Sequence, residues 1–401
     1  MTPAARIERT GGDVLWLDNG VLRLGLVPAL GGRLLSLRRV SGGDARELLW
    51  RNDRLLTAEL TPRPGHEPRP HAGSLGDWAN YGGDKTWPAP QGWDSDAQWA
   101  GPPDPVLDSG PYTAEPEQTP DLAAVTLTSG ADPRTGLRLS RRFELRPGQC
   151  GYRLRLTAVN TSERTVRWAL WNVTQLAADG PGGTYLASPP SVNPLLSGTG
   201  FPRWCELDGD RVYVPHQDVV GKLGFPAATG WLAHVGDGTT LTQRFPVEAG
   251  AEYPDAGSRA EVWLEHPLPT PLAALGDLDP PARIVECEVL GRLTTLAPGQ
   301  RTTLSLDCAV TPGEGPVHDV TPCGHWARPP RIDASRLTGE FVAYRDGTLA
   351  TCGTTVEARA GRPVSLDLPV SGSADPVLEL LDDTGERHRA GVARRRLEVE
   401  R

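Results

Sequence analysis

An all-β fold is what this sequence predicts, and three observations predict it. Glycine (46) and proline (39) make up about a fifth of the 401 residues and interrupt the chain too often for long helices. Short runs of alternating apolar and polar residues recur with turn signals about every ten residues, the spacing of antiparallel sheets. No stretch follows the strand-helix-strand pattern of a parallel sheet.

Along the chain, residues 13–17 and 21–27 read as a hairpin around Asp18-Asn19-Gly20, where Asn-Gly accepts the positive φ of a tight turn. In 137–145, Leu137, Leu139, Arg141 and Phe143 share one face; in 152–159, Tyr152, Leu154, Leu156 and Ala158 do. Further strands are expected at 166–176, 211–214, 230–235, 241–245, 259–266, 283–290 and 302–309. Residues 61–121 break the rhythm with a proline-rich, then tryptophan-rich stretch, which reads as an ordered, functional loop. A second compositional break at 313–335 reads as a linker. The expected domains are 1–312, the linker, and a small β module over 336–401. That module ends in Arg394-Arg395-Arg396, a contact patch or, more ordinarily, a solvated terminal strand.

The charge argues against several functions. With 41 Lys and Arg against 50 Asp and Glu, the formal charge of −9 exerts no general pull on nucleic acid or anionic membrane. No run of eighteen apolar residues and no secretory leader is seen, so a cytoplasmic protein is expected. Six cysteines without a C-x-x-C pair build neither a disulfide framework nor a zinc site. His66 and His71 have no cysteine or acidic partner at ligand spacing, so no metal is expected. Dinucleotide, P-loop and nucleophile-elbow signatures are missing too, so no cofactor is expected.

Two features point to a site. Lys85 and Lys222 are the only lysines, kept in a chain that otherwise uses Arg. Of 12 tryptophans, Trp78, Trp87, Trp93 and Trp99 fall within one short stretch. Around them the run 77–91 offers Asn80, Tyr81, Asp84, Lys85 and Gln91 beside paired glycines, a composition suited to a sugar or polyol. The bland alternative is that these rings only cap a sheet. On the expected strand 283–290, Glu286 and Glu288 point to one face, and carboxylates that close can shift one pKa toward neutrality. A solvent-facing strand edge explains the same pattern. Tyr253 and Asp255, followed by Glu261-Val262-Trp263, form a further turn rich in groups able to contact a ligand.

In order, Leu26–Leu37 with Arg33, then 80–91, 166–175 with Asn172, 222–234, 253–261, 286–290 and the turn 296–299 resemble an uncharacterised bacterial family of the galactose-mutarotase-like (aldose 1-epimerase-like) superfamily. The resemblance covers roughly residues 10–312, and Tyr81–Gln91 is its most specific part. It implies a β-supersandwich with a concave sugar site, a small-molecule carbohydrate as partner, and a late-strand glutamate base at Glu286 or Glu288. It also implies a histidine acid, but Trp171-Asn172-Val173-Thr174 stands where that histidine is expected; His234, His216 or Lys85 are the candidates to replace it. Two readings stay open: an acid–base enzyme acting on a sugar hemiacetal, and a carbohydrate-binding protein without the chemistry.

Overall fold

Residues 4–40, 46–68, 74–313, 315–333, 335–351, 353–370 and 375–395 are described by a computed structural model. His71 and Arg396 lie outside the described residues. The first hairpin forms as expected from Val14–Asp18 and Leu22–Val27. Its turn is closed by Asn19 Oδ1, which accepts the N–H groups of Val21 (3.0 Å) and Leu22 (2.7 Å), while Gly20 takes a φ of 82°.

Two large antiparallel sheets make up most of the chain. The first runs in space Arg6–Thr10, Val14–Asp18, Leu22–Val27, Arg33–Arg39, Asp84–Ala89, Val166–Ala177, Ile284–Leu290, Ala260–Glu265, Gly221–Phe225, Asn193–Ser197, with Thr294–Leu296 also pairing to Val166–Ala177. The second runs Cys205–Leu207, Arg211–Pro215, Gly182–Ala187, Trp231–Gly236, Thr239–Arg244, Arg301–Pro312, Gly151–Asn160, Leu137–Leu145, Leu122–Thr128, Thr113–Thr119. Their facing sides share one core in which Leu24, Leu139, Phe143, Leu154, Leu176 and Cys287 meet. Alternation is the cause: along Leu137–Leu145 every second residue is buried, Arg141 included.

Part of the expected loop is instead a central strand. Asp84–Ala89 pairs along its length with Val166–Ala177, but touches Arg33–Arg39 only through Leu34 and Asp84. Pro88 is tolerated because the strand is laddered fully along one edge alone. This places Lys85 and Trp87 in the middle of the first sheet, where flanking prolines and glycines had hidden the strand.

The expected linker also contains strands. Asp319–Thr321 and Gly324–Asp333 begin a five-stranded sheet with Arg336–Ala343, Pro363–Pro369 and Arg394–Arg395. Pro329 and Pro330 sit at a register shift between Arg328 and Arg331, so prolines that resemble a linker in sequence occupy a bulge. A four-stranded sheet of Thr354–Ala358, Gly347–Thr351, Val377–Asp382 and Arg387–Val392 completes this part, with a core of its own around Trp326, Phe341 and Leu380. Val317, Val320 and Tyr344 pack it against Trp231, Ala233 and Ala309 of the second large sheet.

Candidate functional site

Directly opposed residues of antiparallel strands share a face. Val173 opposes Lys85 on one side and Glu288 on the other, Trp171 opposes Trp87, and Gln175 opposes Glu286. Continuing across the sheet, Glu286 opposes Trp263, Glu288 opposes Glu261, and Trp263 opposes Lys222. One face of five adjacent strands therefore carries Lys85, Trp87, Trp171, Gln175, Glu286, Glu288, Glu261, Trp263, Glu265 and Lys222. The opposite face looks into the sandwich, since Cys287 Sγ lies 3.6 Å from Thr184 Oγ1 of the second sheet.

On the outer face Lys85 Nζ lies 3.4 Å from Glu286 Oε1, and Gln175 Nε2 donates to the same oxygen at 2.6 Å. The Lys85 ammonium also sits 4.9 Å from the Trp87 ring centre and 5.4 Å from that of Trp78, a cation–π arrangement. Beside this pair, Lys222 Nζ donates to Glu288 Oε2 (2.8 Å) and Glu261 Oε2 (3.0 Å) and lies 4.5 Å from the Trp171 ring. Trp171 Nε1 donates to Glu288 Oε2 at 2.7 Å, and Trp263 Nε1 to Glu265 Oε1 at 2.8 Å.

A small, partly open cleft of about 80 Å³ lies over this face, walled by Trp78, Trp87, Trp171, Trp263, Lys222, Glu265, Glu286 and Gln91. Two short loops cover it, Leu75–Asp77 and the turn around Ala273–Leu275, joined by Gly76 N–H donating to Gly276 O at 2.8 Å. A Cβ at Gly76 would stand 2.8 Å from the Asp277 carbonyl, so glycine is required at this crossing.

Burial dominates the electrostatics. It pushes the Lys85 pKa down to about 8, with Glu286 opposing the shift. It pushes Glu265 up to about 7, and the nearby charge of Glu286 adds to that rise. Glu288 and Glu261 are raised by burial against the pull of Lys222. For Lys222 burial acts downward, but Glu261 and Glu288 outweigh it and hold the ammonium above its ordinary value. Burial also raises Asp255, where Lys222 opposes it. Gln175 Oε1, an acceptor, and Glu265 Oε2, on a carboxyl that burial raises, are buried without a hydrogen-bond partner. Unpaired buried groups on one sheet face call for a ligand that pairs with them.

Several sequence-predicted site residues stand elsewhere. Asp84 and Asn172 point into the sandwich because they alternate with Lys85 and with Trp171 and Val173. There Asp84 is ion-paired with Arg141 and accepts from Asn172 Nδ2 (2.7 Å) and Thr174 Oγ1 (2.6 Å). His234 lies on the second sheet with Nε2 2.9 Å from His216 Nε2, and so takes no part in the Lys85 cluster. Arg33 is fully buried and ion-paired with Asp108. Asp108 also accepts from Trp78 Nε1 (2.9 Å) and Trp87 Nε1 (3.1 Å), so Arg33 braces the tryptophans from behind.

Asn80 closes a local turn through Gly82 N–H (3.1 Å), and Tyr81 is a core residue whose hydroxyl donates to His66 O (2.6 Å). Tyr253 is buried with its ring under Arg259 and its hydroxyl accepting from Glu248 N–H (3.0 Å). Lys85, Glu286, Glu288, Lys222, Trp78, Trp87 and Gln91 do converge. Glu288 is fully buried behind Lys222, whereas Glu286 reaches the cavity wall.

Glu265 is a site residue that sequence reasoning missed, although its signal is present two residues beyond Trp263. In Ala260–Glu265, Glu261, Trp263 and Glu265 alternate as Glu286 and Glu288 do. Asp104 and Asp108 were also missed; they anchor Trp99 (Asp104 Oδ2, 2.7 Å), Trp78 and Trp87.

No curated protein matches the chain by sequence. Among solved structures, a TPR-domain containing protein from Parabacteroides distasonis ATCC 8503 is similar at 15% identity and TM-score 0.49, over 76% of this chain and 48% of that one. This chain thus spans about half of that protein's length. A galactose mutarotase-like protein from Lactobacillus casei ATCC 334 is similar at 13% identity and TM-score 0.45, covering 74% of this chain and 99% of that one. An aldose 1-epimerase-like protein from Escherichia coli K12 gives 15% identity and TM-score 0.45, covering 75% and 99%. Residues 13–185 match the family described as "Domain of unknown function (DUF4380)", and the structural neighbours of the chain include galactose mutarotase-like and aldose 1-epimerase-like proteins.

Proposed function

We propose that the outer face of the first sheet binds the ring of a small carbohydrate and moves protons at its hemiacetal centre. The observation that carries this reading is a pair of carboxyl groups in contrasting surroundings at one cavity wall. Glu286 accepts from Lys85 and Gln175 through Oε1, while Glu265 is raised to about 7 and keeps an unpartnered Oε2. Carboxyls whose surroundings differ in this way divide into base and acid.

Glu286 takes the proton of the anomeric hydroxyl as the base, and Glu265 gives its proton to the ring oxygen. The bond between the anomeric carbon and the ring oxygen breaks, leaving an open-chain aldehyde and a hydroxyl. Rotation and the reverse steps close either anomer and restore both carboxyl groups. Trp78 and Trp263 offer apolar faces to the C–H side of the ring. Lys85 keeps Glu286 positioned. In this reading Glu265 takes the acid's role, because it lies at the cleft wall while His234 lies on the second sheet and Lys85 is paired with Glu286.

Polarimetry on a panel of freshly dissolved aldoses tests the reading. Faster mutarotation than in buffer is expected for at least one sugar, with Glu265→Gln and Glu286→Gln each reducing it by about 10²–10⁴-fold. A sugar that binds without any acceleration would leave the site as a non-catalytic carbohydrate-binding cleft.

A further inference from the structure

A second cleft, of about 730 Å³, lies between the second large sheet and the C-terminal sheets. Arg211, Arg244, Arg331, Arg389 and Arg394 line it, against Asp208 and Asp319. In a chain with a formal charge of −9 this wall inverts the local sign. Arg244 is neutralised by Asp307 at 3.3 Å. Arg211, only 6% exposed, is held by the backbone carbonyls of Asp208 (2.9 Å) and Val317 (3.1 Å). Among the described residues, the side chains of Arg331, Arg389 and Arg394 have no carboxylate partner.

The backbone brings these charges together. Arg331 and Arg394 are direct partners in the parallel pairing of Gly324–Asp333 with Arg394–Arg395, so they leave the sheet side by side. Like charges at such a position destabilise a sheet. Two register shifts, Trp326 to Arg328 and Arg328 to Arg331, bulge this strand around Pro329 and Pro330, and Arg331 emerges exposed beside the buried Ile332. His318, on the same wall, is held down to about 4 by burial and then by Arg211 and Arg331. Two guanidinium fields therefore converge on one imidazole.

We propose that this cleft binds an oxyanion, the phosphate or sulfate group of a small ligand, between Arg331 and Arg394, with Arg211 behind them. A guanidinium presents paired N–H donors to two oxygens at once, which the point charge of a lysine does not. The bound anion removes the repulsion between the two neighbouring arginines. This site is independent of the carbohydrate reading.

The test is isothermal titration of the full chain with sodium phosphate, sodium sulfate and glucose 6-phosphate, at ionic strength held constant with sodium chloride. Saturable binding is expected, weakened at least about tenfold in R331Q/R394Q. Arg389→Gln, a single exposed change, gives a smaller loss and serves if the double variant fails to fold. Tighter binding of glucose 6-phosphate than of inorganic phosphate identifies a phosphorylated organic ligand as the source; equal binding identifies the free anion. No heat with any probe, or equal affinity in wild type and R331Q/R394Q, overturns the proposal.

Discussion

Lys85 and Glu286 meet at 3.4 Å although the strands carrying them are not neighbours. Val166–Ala177 lies between them, so the two backbones are about two strand spacings, ~9.6 Å, apart. The long lysine side chain crosses over this strand to reach Glu286 beside Gln175. Contact of this kind depends on sheet order and could not follow from either strand alone.

Removing one member of that buried pair leaves the other without its counter-charge. Lys85→Met is expected to cost about 3–5 kcal/mol in urea denaturation. The paired change Lys85→Met with Glu286→Leu should recover a large part of it. A single-variant loss below about 1 kcal/mol would show that the pair is solvated rather than buried.

Glu265 predicts a pH dependence of stability. Its folded value of about 7 lies above the ordinary 4.5, so between those values the folded chain keeps a proton that the unfolded chain releases. This group's contribution is complete below pH 4.5 and is lost as the pH rises through 7. Glu265→Gln should flatten the fall in stability over that range. Lys85 acts in a different window. Its folded value of about 8 lies below 10.5, so its contribution to stability rises between those two values. Equal pH profiles for wild type and Glu265→Gln would contradict the assignment.

Trp87 and Trp78 should separate on mutation. Trp87 is 3% exposed and its ring centre lies 5.2 Å from both Trp99 and Trp171, so Trp87→Ala is expected to cost about 3–5 kcal/mol. Trp78 is only half-buried, so Trp78→Ala should keep most of the stability and lose sugar-dependent fluorescence quenching. Unchanged quenching in a folded Trp78→Ala would remove this ring from the site.

Asp84 is expected to act on stability alone. Asp84→Ala strands the buried Arg141 guanidinium between the sheets, at about 3–5 kcal/mol. Arg141→Met should be similarly harmful. If Asp84→Asn folds and its sugar affinity falls while its stability does not, the residue contacts ligand after all.

Alternation was the most legible property of this chain. It placed Glu286 with Glu288 on one face and Arg141 with Leu139 and Phe143 on another, and both assignments hold in the structure. Residues 84–89 carry the same alternation, but the prolines and glycines around them read as a loop. A loop gives no reason to separate Asp84 from Lys85, whereas on the strand their side chains leave on opposite sides. Asn172 was carried over from a resemblance, although Trp171 and Val173 beside it are the residues that face Lys85 and Glu288.

The amino-acid sequence alone determined the strand periods, the first turn, the scarcity of lysine and the clustering of tryptophan, because these depend on local sterics and composition. Tertiary structure alone decided which faces meet. Sheet order brings residues 85, 171, 222, 265 and 286 together and sends His234 to the other sheet. It also decided the charge states, since Lys85 is lowered and Glu265 raised mainly by desolvation. Desolvation depends on what covers a side chain, and here the cover comes from loops 75–77 and 273–275, nearly two hundred residues apart in sequence.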